Sequence, residues 1–269
     1  MKKRTSLLAL AAFALVGCSN YGGEISADKF AERRKAIEDA DVKVEELDGY
    51  SLVTEVNDYA KGKFTKYEVK SVKESGNFMI KTFNSTKGAN GNVTNSGNAI
   101  YSVTSGDTYT LASANLGDNE EITGGTYISL QSSLVSMIAT QISGAKATID
   151  KVLSSVFELI SFDAIDEAVG DPEGYFEFSG TNFESSVKYY SKDAKSAAVK
   201  FTANAKTSEN KKFEAESLIS WANYLPSELS YCTKIDGEKL DEMSIKLETK
   251  TPSISLPDLS KLRSEGSAK

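Results

Sequence analysis

The sequence predicts an α+β fold: an antiparallel sheet with an N-terminal helix and a central helical hairpin on its apolar face. Three observations predict it. Apolar and polar residues alternate through residues 47–112 and again from 175 onward, with Gly, Asn and Ser turn signals between the runs. Residues 126–169, between those stretches, space their apolar side chains three and four apart. The same helical spacing opens the fold after residue 26.

The chain starts Met1-Lys2-Lys3-Arg4, runs apolar from Leu7 to Gly17 and reaches Cys18. Basic residues before a short apolar stretch form a secretory signal pattern. The stretch falls well short of the ~20 residues a permanent membrane helix needs, and no later window supplies them. Its end, Leu15-Val16-Gly17-Cys18, resembles the lipobox of bacterial lipoproteins. That resemblance implies cleavage of residues 1–17 as a signal peptide and diacylglyceryl modification of the Cys18 thiol. Residues 18–25, with Gly22-Gly23, then read as a flexible lipidated tether. The membrane becomes a partner through lipid on Cys18, with the protein on the extracytoplasmic side of a cell or outer membrane.

The chain carries 31 basic and 38 acidic residues, and cleavage removes three of the basic ones. The mature chain therefore has a net charge of about −10, which repels phosphate backbones and excludes nucleic acid as an expected partner.

Ser26 is placed to cap the first helix, with Asp28 where the helix dipole favours an anion. Ala27, Phe30, Ala31, Arg34 and Ile37 share one face of it. A meander follows: Tyr50, Leu52, Thr54 and Val56, then Thr65, Tyr67, Val69 and Ser71, then Phe78, Ile80 and Thr82. Tyr101 and Val103, then Tyr109 and Leu111, complete it. One face is expected to be apolar and the other charged and wet. In the helical stretch Ile128, Leu134, Val135, Ile138 and Ile142 precede Ser143-Gly144, and Ile149, Val152, Leu153, Val156, Phe157 and Ile160 follow it. This reads as a hairpin hinged at Gly144, with unusually little charge on its outer face. Strands resume after the turn Asp171-Pro172-Glu173-Gly174, opening with Tyr175, Phe176 and Phe178, and continue to Leu247. Residues 26–258 read as a single domain and 259–269 as a polar tail expected to fray.

The absence of histidine excludes Ser-His-Asp and Cys-His nucleophilic sites and the common zinc constellations. No phosphate-cradling loop appears, and Gly124-Gly125 reads as a turn or cap before the helices. Neither a metal nor another cofactor is expected, and no enzyme activity. Asp118-Asn119-Glu120-Glu121 lacks calcium-loop spacing and reads as a solvated loop. Acylation of Cys18 leaves Cys232 without a disulfide partner in the chain, and it reads as a small buried strand residue.

The order of elements, with Leu225-Pro226-Ser227-Glu228-Leu229 read as strand-turn-strand and the closing Ile254-Ser255-Leu256-Pro257, resembles the LppX/LprG lipoproteins and the lipoprotein carrier LolA. The resemblance covers most of residues 26–258. It implies a strongly curved half-barrel with helices on the concave face, and carriage of a hydrophobic ligand or acyl chain. LolA is soluble, whereas Cys18 would tether this chain. Candidate lining residues come from the apolar pattern alone: Leu134, Ile138, Val152, Val156 and Phe157 from the helices, and Tyr67, Val69, Phe78, Ile80, Tyr109, Phe201, Ile245 and Leu247 from the strands. The alternative is a structural or adhesive surface lipoprotein with a filled core, presenting the Asn-, Ser- and Gly-rich residues 84–98 to a partner protein of unknown identity.

Overall fold

The computed structural model describes residues 21–265; the expected signal peptide and lipobox, Cys18 and residues 266–269 lie outside them. The first elements are β1 (Gly23–Ile25), α1 (Ala27–Ala40), β2 (Gly49–Asp58), β3 (Lys63–Val72), β4 (Phe78–Lys87), β5 (Val93–Ser105), β6 (Thr108–Leu116) and β7 (Ile122–Gln131). Three helices follow, α2 (Ala139–Leu159), α3 (Phe162–Gly170) and α4 (Pro172–Tyr175). The remaining strands are β8 (Thr181–Ser191), β9 (Ala197–Lys206), β10 (Lys212–Ala222), β11 (Leu225–Ile235), β12 (Glu238–Glu248) and β13 (Arg263–Ser264). The fold is α+β with mostly antiparallel pairing. The chain divides into two compact units, one joining the residues through Val42 to Ile160–Gly237, the other joining Lys43–Leu159 to Glu238–Lys269.

In the first unit the strands run β1-β8-β9-β10-β11, all antiparallel. Ser26 caps α1 by accepting the Lys29 N–H at 3.3 Å, as its sequence position predicts. The helix buries Phe30 and Ile37. Phe30 stacks on Tyr189 of β8 at 4.6 Å between ring centroids and meets Phe162 edge-on at 6.2 Å. Phe162 lies flat on Trp221 of β10, 4.3 Å away with 9° between the planes. Arg34 places its guanidinium 5.1 Å over the Phe162 ring and bonds Asp166 at 2.8 Å. Aromatic contact therefore fastens both helices to this sheet.

Three expectations change in this unit. Gly23–Ile25, expected to be flexible tether, pairs with Ser191–Tyr189, because β8 would otherwise leave its edge N–H and C=O groups unpaired. Tyr175, Phe176 and Phe178 do not open a strand. Asp171 caps a helical turn by accepting the Gly174 N–H at 3.0 Å, with Pro172 in the first position where its missing donor costs nothing. The turn expected within Leu225–Leu229 sits instead at Asn223 and Tyr224, both with left-handed backbone, and those five residues belong to β11.

In the second unit the order is β12-β2-β3-β4-β5-β6-β7-β13, antiparallel except for the parallel pair β7 and β13. Residues 122–131, the latter part of which was expected to begin the helices, form β7. Thr126-Tyr127-Ile128-Ser129-Leu130 alternates with period two, so Ile128 faces Leu111 of β6. Gly124-Gly125 lies inside this strand, and a Cβ on Gly125 would collide with the Ser113 carbonyl. The expected hairpin is one long bent helix after a 3-10 turn at Ser132–Ile138. Gly144 is interior to it; the Thr148 hydroxyl donates back to the Gly144 carbonyl at 3.2 Å, a bond that bends helices without breaking them. The helical stretch breaks instead at Ser161, whose extended backbone and side chain cap α3.

Within this unit the strong curl expected of a half-barrel is absent. Strong curvature needs bulges or glycine kinks, whereas the pairings from β12 through β6 run without a register shift. The closing segment of the domain and the start of the expected polar tail, residues 259–269, are also packed. Pro252, Ile254 and Leu256 are half-buried, alternating with exposed Ser253 and Ser255. Leu262 is buried on Ala112 and Ala114 with Leu259 beside it, and Arg263–Ser264 pair with Thr126–Tyr127.

Candidate functional site

The period-two alternation of β2 and β3 sends Tyr50, Leu52 and Thr54 to one face of the sheet, with Tyr67 and Val69. The register joins them into rows. Leu247, Leu52, Val69, Ile80 and Ile100 lie side by side across five strands. The neighbouring rows are Tyr50, Ser71, Phe78 and Ser102, and Ile245, Thr54, Tyr67 and Thr82. Val69 and Ile245 are wholly buried, and Leu52, Phe78, Ile80 and Leu247 nearly so, while Tyr67 remains exposed.

Toward β6 and β7, the buried trio Tyr109, Leu130 and Ile138 packs with Leu111, Ile128, Val135 and Ile142. This seats the 3-10 turn and the start of α2 on the sheet. Beyond it α2 buries Ala145, Ile149, Leu153 and Val156, a stripe at spacings of four and three. Of the helical lining candidates, Ile138 and Val156 are buried, Val152 and Phe157 half-buried, and Leu134 is exposed. Phe201 is the one strand candidate placed in the other unit, where it packs on Tyr175 at 5.6 Å between ring centroids.

Polar atoms on this apolar face fare differently. Tyr109 and Ser102 share a hydrogen bond of 2.8 Å; burial pushes the phenol above its usual range, and that bond pulls the other way. The Thr54 hydroxyl is buried between Ile245 and Tyr67 and has no hydrogen-bond partner. A buried hydroxyl left unmatched costs about 1–3 kcal/mol. Alternation alone cannot reveal such an orphan, because threonine satisfies the strand pattern whether or not its oxygen is bonded.

The opposite face is not simply wet. Phe83, Ala99 and Leu116 are buried there against Phe64, Tyr101 and Ile122. Lys66 and Lys81 both reach Glu120, Lys66 at 3.2 Å. Burial pushes the Glu120 carboxyl up, but its bonds to Lys81 and Lys66 outweigh burial and hold it below the usual glutamate range. Asp118, Asn119 and Glu121 are exposed as expected of a solvated loop, but the segment Asp118–Glu120 is a 3-10 turn that inserts the Glu120 carboxylate between two lysines. Beside it opens a cleft of about 610 Å³ lined by Phe64, Phe83, Ser85, Val93, Asn95, Asn119 and Glu120.

Cys232 is half-buried on β11, less enclosed than expected. Among the described residues no group of three or more acidic or cysteine side chains is placed to hold a metal ion. No helix among them is long and apolar enough to cross a membrane.

No family model matches the chain. No curated protein matches it in sequence. Among solved structures it is similar to LprF from Mycobacterium bovis at 11% identity, over 88% of this chain and 99% of that one, with a TM-score of 0.26. A likeness that loose bears on no individual residue here.

Proposed function

We propose that the chain is a non-enzymatic envelope lipoprotein, anchored by lipid on Cys18, that binds a hydrophobic or acylated molecule at the end of the apolar sheet face where Val56 and Tyr67 are exposed. The observation carrying this reading is the Thr54 hydroxyl, buried without a partner among apolar side chains. A ligand that parts Tyr67 from Thr54 sets an ester or amide carbonyl on this hydroxyl as the missing acceptor, and its chain covers the exposed surface of Val56 and Tyr67. Each methylene removed from water contributes roughly 0.8 kcal/mol, so a long acyl chain binds without dedicated polar contacts. The low charge of α2 suits the same role, since few of its outer positions repel hydrocarbon.

Native mass spectrometry of protein taken gently from source-cell membranes should show a bound lipid mass on the wild type. In Thr54→Val that mass should fall several-fold, while the melting temperature rises by a few degrees because the orphan hydroxyl is gone. Wild-type protein without any adduct overturns the proposal. A Thr54→Val variant that keeps its full adduct removes the hydroxyl from the site.

The adhesive reading keeps one observation in its favour. Residues 84–98, expected as an exposed tip, are mostly the ends of β4 and β5, and the tip itself is residues 88–92. It is a tight loop, with Gly88 N–H bonded to the Asn92 carbonyl at 2.7 Å. Replacing it with a Gly-Ser turn should leave lipid uptake unchanged. If the replacement abolishes attachment to a partner cell or matrix, the adhesive reading gains the function.

A further inference from the structure

We propose that Lys66 and Lys81 form a second binding site, for a small carboxylate carrying an apolar tail, which the protein's own Glu120 occupies in this structure. The site is independent of the proposed acyl-binding face. Strand alternation puts Lys66 on the side of β3 opposite Tyr67 and Val69, and cross-strand pairing puts Lys81 beside it, directly opposite Glu68.

Both lysines are sunken for their type, with side chains 23% and 19% exposed. Their neighbouring strand carboxylates stand at the limit of ion pairing, Glu55 at 3.8 Å from Lys66 and Glu68 at 3.9 Å from Lys81. Glu120 alone is in close contact with both. It comes from a turn whose backbone is strained: Asn119 and Glu120 are consecutively left-handed, at φ 53° and 60°. Asparagine takes that conformation readily and glutamate does not, so the ion pairs hold the turn down against its own preference.

The open cleft gives the site its second half. Phe64, Phe83 and Val93 line it, with Val93 56% exposed, and Ser85 and Asn95 supply the polar rim. An anion that displaces Glu120 would therefore find apolar walls next to its head group. Charge complementarity selects the sign. With Glu120 withdrawn, Lys66, Lys70 and Lys81 outnumber Glu55 and Glu68 in the cluster, and an incoming carboxylate restores the balance. Glu120 then acts as a built-in competitor that lowers affinity until a matching ligand arrives.

The test uses the full chain with Cys18→Ser, so that no detergent is needed, titrated with octanoate and with octanol while backbone amide resonances are followed. Octanoate should shift amides of residues 64–66, 81–85 and 117–121 in the parent protein. Glu120→Gln should tighten octanoate at least tenfold and leave octanol unchanged. Lys81→Met added to Glu120→Gln should cancel the gain. Should Glu120→Gln fail to fold, Glu120→Gly accepts the left-handed backbone and removes the same carboxylate. Equal octanoate affinity with and without Glu120 overturns the proposal, and so does an equal gain for octanol.

Discussion

Serine in place of Cys18 should reduce incorporation of labelled palmitate to background and abolish lipid-dependent attachment to the membrane. The thiol is the only nucleophile of its kind in the first twenty residues, so no neighbour can take over the acylation. A single acyl chain gives only marginal, reversible binding, whereas the two or three chains of a processed lipoprotein hold firmly. The net charge of about −10 expected after cleavage adds no attraction to anionic head groups. The uncleaved leader is itself too short to span a bilayer stably. Label persisting on the serine variant would show that the lipid sits elsewhere and would remove Cys18 as the anchor.

Truncating Trp221 to alanine should cost about 3–5 kcal/mol, the usual loss when a large buried aromatic leaves a cavity. Trp221 is 3% exposed and lies face to face with Phe162, which in turn contacts Phe30 and the Arg34 guanidinium. Removing the indole takes the floor from beneath both helices on that sheet at once. A fall of roughly 10 °C in melting temperature by circular dichroism is expected for a chain of this size. Trp221 is the single tryptophan, so wild-type fluorescence reports this packing without labels. Its emission should be blue-shifted in the folded protein and move red in the same transition that circular dichroism records. A variant melting within a degree of wild type would mean that the stack contributes little.

Much of the sheet was legible because its side chains alternate with a period of two and its turns carry Gly, Asn or Asp with left-handed backbone. The strands through Tyr50–Val56, Thr65–Ser71 and Met243–Leu247 fall where alternation puts them. The failures have specific causes. Gly124-Gly125 interrupts the apolar pattern of β7, and Ile128 fits a helical spacing as well as a strand, so apolar spacing alone does not mark where β7 ends and the helices start. The helical turn at Pro172–Tyr175 was hidden by three aromatic residues whose types favour strands. The strands β1 and β13 have three and two residues and exist only because β8 and β7 offer unpaired backbone, which is a tertiary cause. The apolar rows were readable from alternation, whereas the Glu120 network was not. Its partners lie 54 and 39 positions away in the chain, and nothing local distinguishes that glutamate from Glu121.

The short strand β1 begins five residues after Cys18. At no more than about 3.6 Å per residue, a lipid on Cys18 sets Gly23 within about 18 Å of the acylated residue. No long leash is available, so the protein would ride close to the head groups, with β8 as the strand nearest its mooring. Any pull transmitted through the anchor would load Tyr21, whose phenol donates to Glu228 at 2.6 Å and whose ring packs on Tyr190, Ala198 and Leu218, and then the pairing of Gly23 with Ser191. Tyr21 and the three residue pairs of β1 would then serve as the mechanical fuse between bilayer and fold, and lengthening the chain between Cys18 and Tyr21 would slacken it.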